Sequence, residues 1–267
     1  MPYKVDLNSD LGESFGAWKM GMDEDVLTFV SSANVACGFH AGDPLVMKNT
    51  VAAARAAGVA VGAHPGYPDV VGFGRRGMVC SADELYTDVL YQVGALKAFC
   101  EAAGLKLQHV KPHGAMYNHA AKDLDEALAI AQAVKDAGGD LILLGLAGSK
   151  FDEAADRLGV PYAAEAFADR GYRGDGTLVP RGMEGAFVRD EEAAARRVIR
   201  MVREGVVEAV DGSEVTLRPQ SICLHGDSPT AVRMARTLRA RLVEAGIEIV
   251  PLRELRGVAA PPPANPP

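Results

Sequence analysis

Histidines stand just after several short apolar runs of this sequence, in the segments GFHAGD, AHPGYPD, KPHGAMYN and CLHGDS. They are four of the six histidines in the chain: His40, His64, His113 and His225. An imidazole changes its charge near neutral pH and binds metals through a ring nitrogen, so converging histidines can act as metal ligands or as proton donors and acceptors. The four segments therefore mark a candidate centre, provided that the fold brings them together.

Polar residues also follow the first apolar run, in DLNSDLGES. Asn8 and Asp10 are two residues apart, so a strand would place both side chains on one face, and Glu13 follows shortly after. Single residues of this kind are explained equally well as helix caps or turn residues. The joint pattern of carboxylates and histidines at the ends of several strands favours a site.

Three kinds of chemistry suit such a cluster. A divalent metal with an open position for water would take its ligands from Asp10, His40, His64 and His113. In metal-free hydrolysis, Asp10 or Glu13 would activate water while a histidine or a lysine protonates the leaving nitrogen. In phosphoryl chemistry, cationic side chains would neutralise the developing charge. The residues alone leave these three alternatives open.

A lysine interrupts a run that is otherwise typical of a buried strand, LQHVKP (107 to 112). Strand alternation sends His109, Lys111 and His113 to the same face. Because lysine is almost never fully buried without a partner, that face is either wet or part of a site. Asp10 and Glu165 are the carboxylates that we expect as its counter-charges. We expect His109, which lies deeper, to be a hydrogen-bonded core residue and His113 to be functional.

Alternating strands and helices must position these residues. Between the apolar runs lie stretches of helical period, several of which end at glycine as helix C-termini commonly do. Sustained alternation of this kind predicts a parallel sheet that is either doubly wound or closed into a barrel. Roughly eight strands in about 250 residues favour a β/α barrel of seven or eight strands, which is distorted if it has seven. The predicted strands are residues 4–8, 32–37, 59–64, 107–112, 140–145, 161–167, 221–226 and 247–252.

One segment breaks the alternation. Residues 205–219 form two alternating runs around Asp211-Gly212, which predicts a β-hairpin inserted before the seventh strand. No linker divides the remaining sequence, so we predict one barrel domain over residues 1–257. The proline-rich segment 258–267 is predicted to be a disordered tail.

Composition narrows the classes of function. A net charge of -7 and a pI near 5.4, with no basic stripe, argue against binding to nucleic acid. The sequence has no apolar run long enough to span a membrane and no signal-peptide segment at its N-terminus, so we expect a cytoplasmic protein.

The four cysteines lie far apart, which is typical of reduced thiols. The segment GLAGSK lacks the spacing of a phosphate-binding loop.

Long motifs of the chain resemble the LamB/YcsF family, which is known as the A subunit of prokaryotic 5-oxoprolinase. The resemblance extends from about residue 3 to residue 255. Its motifs, in chain order, are DLNSDLGESFGAW, ANVACGFHAGDP, GAHPGYPD, GFGRR, VKPHGAMYN, EAFADRGY, LVPR and CLHGD.

The resemblance implies the ATP-dependent opening of the 5-oxoproline lactam to glutamate, carried out with partner subunits B and C. It implies a β/α barrel similar to those of sugar deacetylases and glycoside hydrolases, and it implies ATP with magnesium as cofactor. The alternatives are a metal-dependent deacetylase or amidohydrolase that acts on a carbohydrate or small amide, and a non-catalytic subunit that binds the lactam.

The predicted roles fall into two groups. The predicted catalytic residues are Asp10, Glu13, His40, His64, Lys111 and His113. The predicted substrate-binding residues are Asn8, Asn34, Arg75, Glu165, Arg170 and His225.

Overall fold

Ten strands are assigned in the structure, a computed structural model that describes residues 3–224 and 229–255. In chain order the strands are β1 (Tyr3–Leu11), β2 (Ser32–Ala36), β3 (Ala60–His64), β4 (His109–Val110), β5 (Ile142–Leu146), β6 (Tyr162–Phe167), β7 (Val206–Glu208), β8 (Glu214–Thr216), β9 (Ser221–Leu224) and β10 (Ile247–Ile249).

Seven parallel strands of the described chain close into a barrel, in the order β1, β2, β3, β4, β5, β6 and β9. Closure occurs where residues 6–9 of β1 pair with residues 221–224 of β9. The eighth parallel strand, β10, pairs with the first three residues of β1, below the point of closure. The predicted barrel of seven or eight strands is therefore confirmed, with seven strands in the closed ring.

Helices surround the barrel. Those within the described residues are α1 (Asp23–Val26), α2 (Pro44–Ala57), α3 (Ala82–Ala102), α4 (Gly114–Ala120), α5 (Leu124–Ala137), α6 (Lys150–Leu158), α7 (Glu191–Glu204), α8 (Pro229–Glu244) and α9 (Leu252–Leu255). Local sequence explains several of their ends: Asp43 caps α2 with Pro44 in the first turn, and Gly58 ends it in a left-handed conformation. None of these helices has the length and apolar character needed to cross a membrane.

The hairpin predicted over residues 205–219 is confirmed, because β7 and β8 pair in antiparallel register immediately before β9. The strand predicted at 107–112 is shorter than expected, because β4 consists of only two residues. Pro112 has no N–H to donate to a neighbouring strand, whereas the His113 N–H still bonds to the Pro65 carbonyl beyond the end of β3.

Apolar side chains pack in two places. A large core between the barrel and its helices takes in residues from Val5 to Ile247, and on this basis we propose that the barrel is a single domain. A second, smaller cluster fills the lower end of the barrel, where β10 and α9 cover the N-terminal ends of the strands. Its members are Ile142, Leu144, Ala163, Val250, Leu252 and Leu255. The segment 258–267, predicted as a disordered tail, lies outside the described residues.

Candidate active site

A cavity of about 410 Å³ opens at the C-terminal ends of the barrel strands. Its walls include Asp10, Glu13, His64, Lys111 and His113, all of them predicted catalytic residues. This is the end at which β/α barrels carry their active sites, because the loops that follow the strands converge there. The structure thus brings residues of three separate segments of the chain to one opening.

The local chain explains how each side chain arrives there. Asp10 belongs to the long strand β1, His64 is the last residue of β3, and His113 lies at the N-cap position of α4. His40 is in the loop between β2 and α2. Gly74 has φ +60°, and a Cβ there would lie 2.8 Å from His40 Cβ and 2.9 Å from His113 Cδ2. A glycine is therefore required where this loop packs on the two histidines.

Lys111 lies at the floor of the cavity with only 3% of its surface exposed. Its Nζ is 3.0 Å from Asp10 Oδ1 and 2.9 Å from Glu165 Oε1, so the two expected counter-charges both contact it. Nζ also donates to Asn8 Oδ1 at 3.2 Å. Burial opposes the charge of Lys111, but Asp10 and Glu165 raise its pKa well above the usual range. The lysine is therefore a buried cation held by two carboxylates.

Asp10 joins Lys111 to the histidines. Its Oδ1 accepts from Asn34 Nδ2 at 2.8 Å as well as from Lys111, while its Oδ2 lies 3.3 Å from His64 Nε2. Burial alone would raise the pKa of Asp10, but His64 and Lys111 lower it well below the usual range. The group is a carboxylate whose side chain is 18% exposed to the cavity.

Three histidines form a compact group beside Asp10. The rings of His40 and His113 are stacked, with centroids 3.7 Å apart and planes 4° apart, and His64 meets His113 edge-on. Burial lowers the pKa of His40 and of His113 well below 6.5, so both rings are neutral at physiological pH. Two stacked neutral rings avoid the repulsion that two imidazolium ions would have.

Glu13 covers the histidine group from the side of the cavity. Its Oε1 lies 3.3 Å from His40 Nε2 and 3.5 Å from His113 Nδ1. Burial raises the pKa of Glu13, although His113 opposes the shift. The ligand atoms of Glu13, His40, His64 and His113 all lie within 4.8 Å of one another. The structure places Glu13 in the group where the sequence-based metal hypothesis has Asp10.

A layer of fully buried polar side chains supports this floor. Asn34 Nδ2 donates to Asn8 Oδ1 at 2.7 Å, and Asn8 Nδ2 donates to Glu165 Oε1 at 3.0 Å. His109 Nε2 lies 2.6 Å from Asn34 Oδ1, and burial lowers the pKa of His109 to about 3. His109 is therefore a neutral hydrogen-bonded core residue. A Cβ at Gly62 would lie 2.1 Å from its ring, so the neighbouring strand must carry glycine there.

The predicted substrate-binding residues lie in different places. Asn8, Asn34 and Glu165 are fully buried beneath the cavity, where they hold Lys111 and Asp10. Arg75 and Arg170 line the cavity, and Arg170 is anchored through Nη2 to the Val179 carbonyl at 2.6 Å. His225 lies outside the described residues. The prediction that all six contact substrate stays a prediction.

Three further participants were not predicted from the sequence. Tyr117 donates its hydroxyl to Glu165 Oε2 at 2.7 Å, and Cys223 Sγ lies 3.1 Å from Lys111 Nζ. The Phe73 carbonyl accepts from His113 Nε2 at 2.9 Å. Tyr117 lies one helical turn after His113, a spacing that marks it once α4 is known to begin at Gly114. A backbone carbonyl such as that of Phe73 leaves no sequence signal.

Comparison with known proteins finds relatives over nearly the whole chain. The A subunit of 5-oxoprolinase from Clostridium beijerinckii is 54% identical over 253 residues, which is 95% of this chain and 99% of that protein. The corresponding 5-oxoprolinase A subunit of Bacillus subtilis is 52% identical over 254 residues, again 95% and 99% of the two chains.

Solved structures give the same result. The crystal structure of a lactam utilization protein from Thermus thermophilus has a TM-score of 0.88 at 52% identity, over 92% of this chain and 99% of that one. The peptidoglycan deacetylase PdaC of Bacillus subtilis has a TM-score of 0.50 at 13% identity, over 96% of this chain and 91% of its own, and is similar in fold alone. Residues 5–257 match the sequence model of the LamB/YcsF family, as the motifs indicated, and the chain belongs to that family.

Proposed function

We propose that this chain is the subunit of a 5-oxoprolinase that opens the lactam of 5-oxoproline to glutamate, coupled to ATP hydrolysis and in a complex with subunits B and C. The observation that supports it best is the buried cation Lys111, held between Asp10 and Glu165 at the floor of an open cavity. The same chain is more than half identical to proteins named as the A subunit of 5-oxoprolinase.

The chemistry of the substrate explains why ATP is needed. A five-membered lactam is a stable amide, and phosphorylation of its carbonyl oxygen turns that oxygen into a leaving group. Water then adds to the ring carbon and the C–N bond breaks as the nitrogen takes up a proton, which yields an amine and an acyl phosphate. A second water cleaves the acyl phosphate to a carboxylate and free phosphate. Magnesium accompanies the nucleotide as its counter-ion.

Residues of the cavity are suited to these steps. Lys111 and Arg75 are cations that would stabilise the charge of the phosphorylated oxygen. Asp10 and Glu13 are carboxylates on the cavity wall that would direct water to the ring carbon. His64 and His113 lie beside both carboxylates and can carry the proton that the ring nitrogen receives.

A group of cations on the cavity wall is the candidate site for the nucleotide. The cations Arg75, Lys122 and Arg181 line the cavity, where they favour a polyphosphate. The partner subunits are the alternative source of the site. Calorimetry with ATP and magnesium on the isolated chain and on the complex distinguishes the two, because heat with the isolated chain places the nucleotide on this chain.

Substitution in the reconstituted complex tests the assignment of the site. We expect Asp10→Asn and His113→Ala each to abolish the coupled release of glutamate and ADP while the fold, followed by circular dichroism, is retained. Asp156→Asn on the exposed face of α6 serves as the control for a lost carboxylate and should behave like the wild type. Turnover near the wild-type rate in both Asp10→Asn and His113→Ala would contradict the assignment.

A second candidate function is favoured by the group of Glu13 and three histidines, which resembles a set of metal ligands. It is a metal-dependent deacetylase or amidohydrolase, whose turnover would need no ATP. Assays of the isolated chain with N-acetylated sugars and with 5-oxoproline, each with and without ATP, separate the candidates. If the chain only binds the lactam, turnover in the complex will not respond to substitutions in the cavity.

A further inference from the structure

Two histidines of the site have one ring nitrogen committed to a backbone carbonyl. His64 Nδ1 lies 2.7 Å from the Lys111 carbonyl oxygen, and His113 Nε2 lies 2.9 Å from the Phe73 carbonyl oxygen. A carbonyl only accepts hydrogen bonds, so each of these nitrogens must carry a hydrogen. In a neutral imidazole the other nitrogen then has a lone pair and no hydrogen.

The two remaining nitrogens face each other. His64 Nε2 and His113 Nδ1 are 3.0 Å apart, at the separation of a hydrogen bond but with a lone pair on each side. Two lone pairs at this distance repel, so the arrangement requires a positive centre between or beside them. A proton on one ring or a bound cation would provide it, and the other groups at the site distinguish these possibilities.

We propose that Glu13, His40, His64 and His113 bind one divalent transition-metal cation of the zinc class. Metal bonds of 2.0–2.1 Å in a tetrahedron give ligand atoms separated by about 3.3 Å. Three separations in the group are close to that value: 3.0 Å from His64 to His113, 3.3 Å from His40 to Glu13 and 3.5 Å from Glu13 to His113. A single proton shared between two nitrogen atoms would explain only one of these three short separations.

The chemistry of the donors selects the kind of metal. Imidazole nitrogen with one carboxylate suits zinc, iron or cobalt, whereas magnesium prefers oxygen ligands and keeps its water. The site is therefore distinct from that of the magnesium that accompanies ATP. The carbonyls that accept from His64 and His113 are the outer partners that metal-binding histidines usually have.

Access to the group is from the cavity. The three histidines are almost fully buried, with exposed fractions of 1% for His40, 1% for His64 and 4% for His113. The Glu13 side chain is 13% exposed, and Asp10 Oδ2 lies 3.3 Å from His64 Nε2. A cation bound there would polarise a carbonyl oxygen or a water at the wall of the cavity. The inference concerns binding alone and does not depend on the proposed lactam chemistry.

Metal binding by the full chain tests the inference directly. Protein stripped with a chelator is titrated with Zn²⁺ by calorimetry and with Co²⁺ by visible absorption, since the intensity of cobalt bands reports four-coordination. We expect one equivalent per chain, and a loss of affinity of at least about a hundredfold in His64→Gln and His113→Gln. His119→Gln, which changes an exposed histidine outside the group, should bind as tightly as the wild type.

A second variant covers the case in which the buried histidine variants fail to fold. Glu13→Gln alters a loop residue that is partly exposed, and it should weaken Zn²⁺ binding by at least about tenfold with an unchanged circular dichroism spectrum. The inference is overturned if folded wild-type protein takes up no Zn²⁺ or Co²⁺, or if metal binds equally well to Glu13→Gln and to both histidine variants. Nitrogen-15 shifts that show one proton shared by His64 and His113 in metal-saturated protein would also overturn it.

Discussion

The two ends of the barrel interior are built from different kinds of side chain. At the lower end, Leu144 and Leu252 belong to a closed apolar cluster covered by β10 and α9. At the upper end, Asp10, Lys111 and His64 lie around an open cavity. Strand β6 contributes to both ends, since Ala163 belongs to the lower cluster and Glu165 holds Lys111, so the change in character occurs along this strand.

The difference separates the residues that stabilise the barrel from those that do chemistry. Buried apolar side chains contribute roughly 1.5–3 kcal/mol each to folding, whereas buried charges cost free energy unless they are well paired. The buried charges at the upper end therefore indicate a functional role rather than a contribution to stability. Strand β1 is polar over this whole stretch of its inner face, where Asp6, Asn8 and Asp10 follow one another.

The largest expected effect comes from removing the buried cation at the upper end. We expect Lys111→Met to lower turnover of the complex at least about a hundredfold. It should also lower the free energy of unfolding by about 3–5 kcal/mol, because Asp10 and Glu165 lose their counter-charge. Coupled glutamate release and urea denaturation measure the two effects.

Two further variants sharpen this result. Lys48→Met, on the exposed face of α2, is the matched control and should leave both quantities unchanged. Lys111→Met combined with Glu165→Gln removes a positive and a negative charge together, so it should recover part of the stability and none of the turnover. Recovery of turnover in the double variant would show that Lys111 has only a structural role.

A substitution at the lower end should lower stability without lowering turnover. Leu144 is fully buried in the apolar cluster, so Leu144→Ala should lower the free energy of unfolding by about 2–5 kcal/mol. Turnover of the folded variant should be unchanged, because the cluster does not line the cavity. Leu45→Ala, at a 64% exposed position, is the control. A tenfold loss of turnover in folded Leu144→Ala would break the separation between the two ends.

Asp6 gives a prediction about pH at the middle of the barrel. Burial raises its pKa from 3.8 to about 6, although hydroxyls of Ser221, Ser32 and Ser31 oppose the shift. The folded state thus binds this proton more tightly than the unfolded state, so the contribution to stability is present below about pH 4 and is lost as the pH rises through 6. Two pKa units correspond to about 3 kcal/mol.

The Asp6→Asn variant isolates this effect. Its stability relative to the wild type should increase by up to about 3 kcal/mol between pH 4 and pH 7, since asparagine does not ionise. Urea denaturation at the two pH values measures the difference, in which the titration of all other groups cancels. A constant difference over this range would mean that Asp6 is ionised at both values.

The smallest expected effect compares two helix caps. Asp43 caps α2 and also accepts from the Gly16 N–H in the loop that carries Glu13, whereas Ser81 caps α3 and does not line the cavity. Asp43→Ala and Ser81→Ala should each cost about 1 kcal/mol of stability. Turnover should fall several-fold in Asp43→Ala alone, because only this cap fixes the loop. Equal turnover in the two variants would contradict that role.

Much of the fold was predictable because the strands are buried on both faces. Such strands appear in the sequence as short runs of branched apolar residues, and each of the eight predicted runs overlaps a parallel strand of the structure. The number of strands in the closed ring was not predictable. It depends on whether residues 221–224 or residues 247–249 pair with the middle of β1. Tertiary packing decides this pairing, and local sequence patterns do not encode it.

The convergence of the candidate residues was predictable from the sequence, and their contacts were less so. Parity on the strands indicated that Lys111 faces Asp10, and the structure contains that ion pair. Side chains placed by loops were harder to position, since the turn at Gly12 with φ +70° decides where Glu13 points. The hydroxyl of Tyr117 was missed because its position depends on α4, which begins at Gly114 just after the predicted strand.

Closure of the barrel between β1 and β9 has a consequence for synthesis of the chain. Ser9 bonds to Leu224, 215 residues later, so the first strand to leave the ribosome has an unpaired edge until nearly the whole chain has been made. Contacts this distant in sequence form slowly, and open strand edges invite pairing with other chains. Inward-pointing polar groups such as Asp6 and Asn8 discourage such pairing. We therefore expect the residues that build the polar interior also to protect the nascent protein from aggregation.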